Sequence, residues 1–173
     1  MPTIRNATPS DIPQITAIYA HWVSTGTATF ELEPPSEAEM MARFETITVA
    51  GYPYLVAEHQ DRIAGYAYAN AYRQRPAYRF TVEDSIYVAP EVHRGGVGRL
   101  LLARLIDDCT RRGYRQMIAV IGDSQQTPSI ALHRALGFEP TGTMRSVGYK
   151  FGRWLDGVVM QLALGPGDTA PPS

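Results

Sequence analysis

Glycines at 95, 96 and 98 stand between an apolar strand-like run, Ile86-Tyr87-Val88, and a helical pattern from Arg99 onward. A turn of this kind is suited to holding phosphate. The first-turn amides of a helix have no partners within it, and the helix dipole adds partial positive charge there. Glycine removes the Cβ atoms that would keep a pyrophosphate away from those amides. Arg94 and Arg99 add charge beside them. No Gly-Lys-Ser/Thr closes the turn, so it is not a Walker loop. The third glycine of G-x-G-x-x-G falls on Leu101, so it is not the dinucleotide fingerprint either. Taken alone, the turn also fits a plain connection between strand and helix.

The elements around this turn follow from hydrophobic period and punctuation. Pro90 stops the strand, and Leu101, Leu102, Leu105, Ile106 and Cys109 make one buried helical face that Gly113 ends. Upstream, residues 3–7 read as a first strand. A helix capped at Thr8-Pro9 presents Ile12, Ile15, Tyr19 and Trp22, and the segment 27–31 is short and β-prone. Ser36-x-x-Glu39 is a capping box for a second helix faced by Met40, Met41, Phe44 and Ile47. A hairpin turns at Gln60-Asp61, and a polar loop, 73–77, leads to a long strand over 78–88. Past the central helix come a buried strand over 116–121, a short helix over 128–136 and two β segments near 141–149 and 157–164. The order β-α-α-β-β-β-α-β-α-β-β implies a mixed α/β sheet with helices on both faces.

Composition narrows the function. The 173 residues, 45% hydrophobic and 19% charged, suit one domain over 1–164, with a proline-containing tail over 165–173 expected to be disordered. Net charge near −1 gives no broad basic field for nucleic acid or an anionic membrane. The single cysteine, Cys109, excludes an internal disulfide and reads as a small core residue. No run is long and apolar enough to span a membrane and no signal peptide is seen, so a cytoplasmic protein is expected.

The strand, the glycine turn and the later Leu132-His133-Arg134-Ala135-Leu136-Gly137-Phe138 together resemble the GCN5-related N-acetyltransferases, over nearly the whole chain. Within that superfamily, Thr81-Val82-Glu83, Ala119-Val120-Ile121-Gly122, Ser129-Ile130-Ala131-Leu132-His133 and Gly148-Tyr149-Lys150-Phe151-Gly152-Arg153-Trp154 are similar to the phosphinothricin and methionine sulfone/sulfoximine N-acetyltransferases. The resemblance implies a mostly antiparallel sheet with a splayed strand pair, and acetyl-CoA as co-substrate, with no metal. It places the pyrophosphate on residues 94–99 (Arg94, Gly95, Gly96, Val97, Gly98, Arg99) and the pantetheine along Ile86, Tyr87 and Val88. Gln126, where relatives have Asn, and Ala135 are further coenzyme contacts, and His93 replaces the usual Gln/Arg of the turn.

The resemblance also implies catalytic roles. Amine acetylation needs a neutral amine and a proton route for the leaving thiol. Glu83 is the expected base; without the resemblance it reads as readily as a salt-bridged strand carboxylate. His133 stands where many relatives have a proton-donating Tyr, and it is expected to transfer a proton or orient Glu83; a packed helix histidine is the plainer alternative. Arg73, Gln74 and Arg75, with Glu83, Asp84, Ser85 and Phe30, are the implied substrate contacts. Two points cut across that set: strand alternation puts Asp84 on the face opposite Glu83, so the two should not both line the site, and Phe30 fits core packing better than a pocket wall. Tyr149-Lys150-Phe151 and Trp154 resemble a dimer-adjacent hairpin or form a cross-strand aromatic cluster. The expected activity is therefore direct acetyl transfer to the α-amine of a small amino-acid-like substrate by a homodimer. Transfer to another amine, or a coenzyme-A-binding module without turnover, are the alternatives.

Overall fold

The computed structural model describes residues 1–92 and 95–172. In chain order these form β1 (Thr3–Asn6), α1 (Ile12–Thr25), α2 (Glu37–Val49), β2 (Tyr54–His59), β3 (Arg62–Ala71), β4 (Thr81–Val88), α3 (Val97–Arg111), β5 (Gln116–Gly122), α4 (Thr127–Ala135), β6 (Glu139–Lys150) and β7 (Arg153–Ala163). The strands make one sheet in the order β1-β2-β3-β4-β5-β7-β6. Of its neighbouring pairs only β4 and β5 run parallel, with α3 as their crossover. No described helix is long and apolar enough to cross a membrane.

Strand alternation sorts the core into two layers. Tyr54, Val56 and Tyr66 pack with Ile12, Ile15, Tyr19, Val23, Met40 and Phe44 from α1 and α2. Their neighbours Leu55, Ala57 and Ala67 turn the other way, onto Leu101, Leu102, Leu105 and Cys109 of α3. Those four α3 side chains are fully buried, and each leucine stabilises the layer by about 1.5–3 kcal/mol. Local chemistry sets the ends. Ser36 Oγ accepts the Glu39 amide of α2 at 3.1 Å, and Gln60 and Asp61 both take positive φ in the two-residue turn between β2 and β3.

The β-prone stretch 27–31, which the expected order left out of the sheet, is loop, and Thr27 and Thr29 hydrogen-bond to side chains from elsewhere in the fold. Two segments differ from the sequence reading. The long strand starts at Thr81, after a 3-10 turn at Pro76–Tyr78. Residues beyond Leu164 run as turns against the end of β5, where the Arg115 guanidinium donates to the carbonyls of Gly167, Ala170 and Pro171. The expected disorder overlooked that cation.

Candidate active site

The parallel pairing of β4 with β5 covers only Thr81–Glu83 against Gln116–Ile118. Past Glu83 the two strands part. β4 runs on to Val88 still paired with β3, and β5 runs on to Gly122 paired with β7. The edge of β4 beyond the fork therefore has no strand partner on its β5 side. The gap is a cleft of about 150 Å³, bordered by Glu83 to Tyr87, by Ala119 to Gly122, by Gln126, Ser129 and His133, and by Ala28.

The glycine turn lies past the end of β4. Gly96 is the N-cap of α3 with φ +69°, a left-handed conformation that glycine adopts without strain, and no atom of the described residues beyond its chain neighbours lies within 4 Å of where its Cβ would be. The first intrahelical bond of α3 runs from the Leu100 amide to the Gly96 carbonyl, which leaves the amides of Val97, Gly98 and Arg99 without helical partners. Arg99 is exposed beside them. His93 and Arg94 lie outside the described residues.

Two carboxylates meet at the fork and differ in company. Glu83 is half-buried, and its pKa is raised by burial first and by the Asp84 charge second, while Arg73 pulls the other way. No described cation is paired with it. Asp84, on the other face of β4, holds His133 Nε2 at 2.9 Å through Oδ2, and both side chains are 2% exposed. His133 Nδ1 lies 2.7 Å from the Ser129 carbonyl oxygen. Burial lowers the imidazole pKa, but the Asp84 hydrogen bond and charge, with the Ser129 carbonyl, outweigh it and leave the pKa raised. His133 thus joins Asp84 rather than the expected Glu83. A carbonyl and a carboxylate occupy its two nitrogens, and neither is left for a third group.

The wall opposite β4 is a strut network. Thr27 Oγ1 donates to buried Asp123 at 2.7 Å and receives Gln126 Nε2 at 3.0 Å, while Arg153 closes on the same Asp123 oxygen. Buried Lys150 donates to the Thr29 carbonyl at 3.0 Å, and burial lowers its pKa. The Phe30 ring is wedged between the backbones of Gly122 and Gly148, where a Cβ would come within 2.8 and 2.6 Å of it. At 37% exposure it is not the core residue expected, and it braces the cleft wall from outside.

The sequence pattern of the Acetyltransferase (GNAT) domain family matches residues 4–159. The chain belongs to this family. Over 170 residues it is 54% identical to the phosphinothricin N-acetyltransferase of Alcaligenes faecalis, covering 98% of this chain and 86% of that one. Over 162 residues it is 43% identical to the L-methionine sulfoximine/L-methionine sulfone acetyltransferase of Salmonella typhimurium, covering 94% of each. The crystal structure of a GNAT superfamily phosphinothricin acetyltransferase from Sinorhizobium meliloti, in complex with acetyl-CoA, superposes with a TM-score of 0.96 at 54% identity, over 99% of this chain and 93% of that one. This GNAT chain is accordingly an N-acetyltransferase, and acetyl-CoA is its acyl donor.

The GNAT cleft fits that donor chemically. An unpaired strand edge offers backbone groups to an extended amide-bearing arm, and the open start of α3 offers amides to a pyrophosphate. Of the residues singled out in the sequence, Glu83, Asp84, Ser85, Ile86, Tyr87, Gln126 and His133 border the cleft. Val88 continues the same strand, and its carbonyl accepts the Trp22 indole N–H at 2.8 Å. Arg73, Gln74 and Arg75 are exposed and outside the cleft lining, with Arg73 lying over the Tyr72 ring. Ala135 is exposed at the far end of α4, also outside it. Sequence reasoning missed Trp22 as a strand lock and Asp123 as the hub of the wall; the only sign of Asp123 was its place just after the Gly122 that ends β5.

Proposed function

We propose that this enzyme acetylates the α-amine of a small amino-acid-like substrate of the phosphinothricin, methionine sulfone or methionine sulfoximine type, by direct transfer in a ternary complex. The observation that carries the reading is Glu83, a half-buried carboxylate with no paired cation among the described residues, standing at the fork where the acyl donor's strand edge begins. A base must face the reacting centre, and its raised pKa fits it to take a proton from an amine near neutral pH. The names of the relatives from Alcaligenes faecalis and Salmonella typhimurium support the substrate class.

In this reading residues 1–164 act as one domain in the cytoplasm. The α3 turn with Arg94, Gly95, Gly96, Val97, Gly98 and Arg99 holds the pyrophosphate, while Ile86, Tyr87, Val88 and Gln126 line the arm. Arg73 and Arg75 stand on an exposed loop, the Arg73 charge is felt at Glu83, and a guanidinium suits a carboxylate or a phosphinate or sulfone oxygen. Two chains pair through the β6–β7 hairpin, where Met144, Val147, Tyr149, Phe151 and Trp154 leave a contiguous set of apolar side chains about half exposed.

The test is thiol release from acetyl-CoA with phosphinothricin, methionine sulfone, methionine sulfoximine, ordinary amino acids, a polyamine and a peptide. Saturable turnover confined to the methionine-like compounds is expected; turnover on the peptide alone would sink the substrate assignment. Glu83→Gln should lower kcat by about 100-fold or more, the usual cost of losing a general base, with KM for acetyl-CoA unchanged. Arg73→Ala should raise KM for the amino acid and not for acetyl-CoA, and the reverse pattern would remove it from the substrate side.

A further inference from the structure

We infer that Asp84 and His133 form a fixed, proton-loaded bridge between β4 and α4 that sets the width of the acetyl-CoA cleft, and that His133 keeps its proton throughout turnover. This rests on the acetyltransferase reading of the cleft and deepens it: His133 becomes a positioning residue rather than a proton carrier.

The argument begins with the partners of the ring. Nδ1 faces the Ser129 carbonyl, which can only accept, so Nδ1 carries a hydrogen. Nε2 faces a carboxylate oxygen at 2.9 Å, and two bare lone pairs at that distance would repel, so a proton lies between them as well. Asp84 Oδ1 has no hydrogen-bond partner among the described residues, so the buried carboxylate depends on His133 for its compensation. His133 also stands in the last turn of α4, where the helix dipole favours a cation. The Phe138 ring packs edge-on against the imidazole with centroids 4.9 Å apart.

Place gives the bridge its function. Asp84 is the first residue of β4 past the fork, since the pairing with β5 ends at Glu83. The bridge therefore joins the point where the strands part to the helix whose Gln126 and Ser129 form the opposite border. Cutting it frees α4 from β4 and changes the cleft's width, whereas replacing the charged pair with a neutral hydrogen-bonded one preserves the span. Besides His133 itself, the described titratable groups that feel the Asp84 charge are Glu83 on β4 and Cys109 on α3. The Cys109 thiol is pushed up to about 12 by burial, so the acid limb of activity belongs to Glu83. During transfer Glu83 receives the proton shed by the amine nitrogen as the new C–N bond forms and the C–S bond breaks. The thiolate leaves with the electron pair of that C–S bond and takes its proton from solvent.

The decisive variant is Asp84→Asn, whose amide N–H can donate to a neutral His133 Nε2. The expected result is a kcat loss far short of 100-fold, an acetyl-CoA KM raised less than in His133→Ala, and an acid limb moved to lower pH because the Asp84 charge no longer raises Glu83, while His133→Ala raises acetyl-CoA KM about 10-fold or more and His133→Gln restores most of it. A loss of about 100-fold in kcat for Asp84→Asn, with its melting temperature and acetyl-CoA binding intact, would overturn the bridge in favour of a proton carrier. Should Asp84→Asn not fold, ring-nitrogen NMR of the free wild-type protein decides. Both His133 nitrogens protonated at pH 7, with no titration across the acid limb, is the expected spectrum; a bare nitrogen there overturns the inference. Absence of wild-type turnover on every amino-acid-like amine, with these ring signals intact, would count against the proposed substrate and leave the bridge standing.

Discussion

The two faces of β4 treat neighbouring carboxylates in opposite ways. Glu83 shares its face with Ser85 and Tyr87, beside the tyrosine-rich layer of α1 and α2, and has no ion-pair partner among the described residues. Asp84 shares its face with Ile86 and Val88, beside α3 and α4, and is fastened to His133. Same strand, same fork, same charge: what separates them is whether the opposite layer supplies a partner. A half-buried carboxylate left unpaired costs stability and is retained where chemistry needs it, whereas a paired one serves the architecture.

That contrast breaks most visibly in stability. Asp84→Ala strands a buried imidazole, and removing one partner of a buried pair costs about 3–5 kcal/mol. Melting should fall by roughly 2–4 °C per kcal/mol for a chain of this size. The pH dependence follows from the raised His133 pKa: its contribution is complete below the unfolded histidine value and is lost as pH rises through the higher folded value. Wild type should therefore lose stability above neutral pH in a way that Asp84→Ala does not, and identical pH–melting curves would contradict the pairing.

Glu83→Gln tests the opposite face. A carboxylate with a raised folded pKa makes the folded state less stable, relative to the unfolded one, as pH rises through that value. The glutamine variant should lose its activity yet melt no lower than wild type at neutral pH. A clear drop in melting temperature would mean that Glu83 has a structural partner after all, and the two faces would cease to differ.

Much of this was legible in the chain. The i, i+3, i+4 leucines of α3, the capping box at Ser36 and the turn at Gln60-Asp61 are local patterns, and local patterns survive folding because neighbours in sequence decide them. Alternation put Glu83 and Asp84 on opposite faces, but its corollary that they should not both line the site fails, since the strands part at this point and both residues border the cleft. What alternation could not supply was which residue 49 positions away would meet Asp84, and the resemblance drew attention to Glu83 instead. Residues 27–31, β-prone but left out of the expected element order, are held as a loop by contacts from Asp123 and Lys150, about a hundred residues on. The arginine loop was assigned by resemblance alone, and in the structure it is exposed and outside the cleft lining.

The smallest expected effect sharpens the comparison at the strand's far end. Trp22 rises from α1, on the Glu83 face, yet its indole N–H reaches around the strand end to the Val88 carbonyl at 2.8 Å. It is thus a described link from the α1 layer to the edge that borders the cleft. Trp22→Phe keeps most of the aromatic packing and removes one hydrogen bond, a change of about 0.5–1.5 kcal/mol in stability. The freed carbonyl lies on the edge assigned to the acyl donor, so a modest shift in acetyl-CoA KM should accompany the lower melting temperature, with amino-acid KM unmoved. An altered amino-acid KM with acetyl-CoA KM constant would show that Trp22 serves the Glu83 face, and that β4 divides the two substrates less cleanly than its alternation implies.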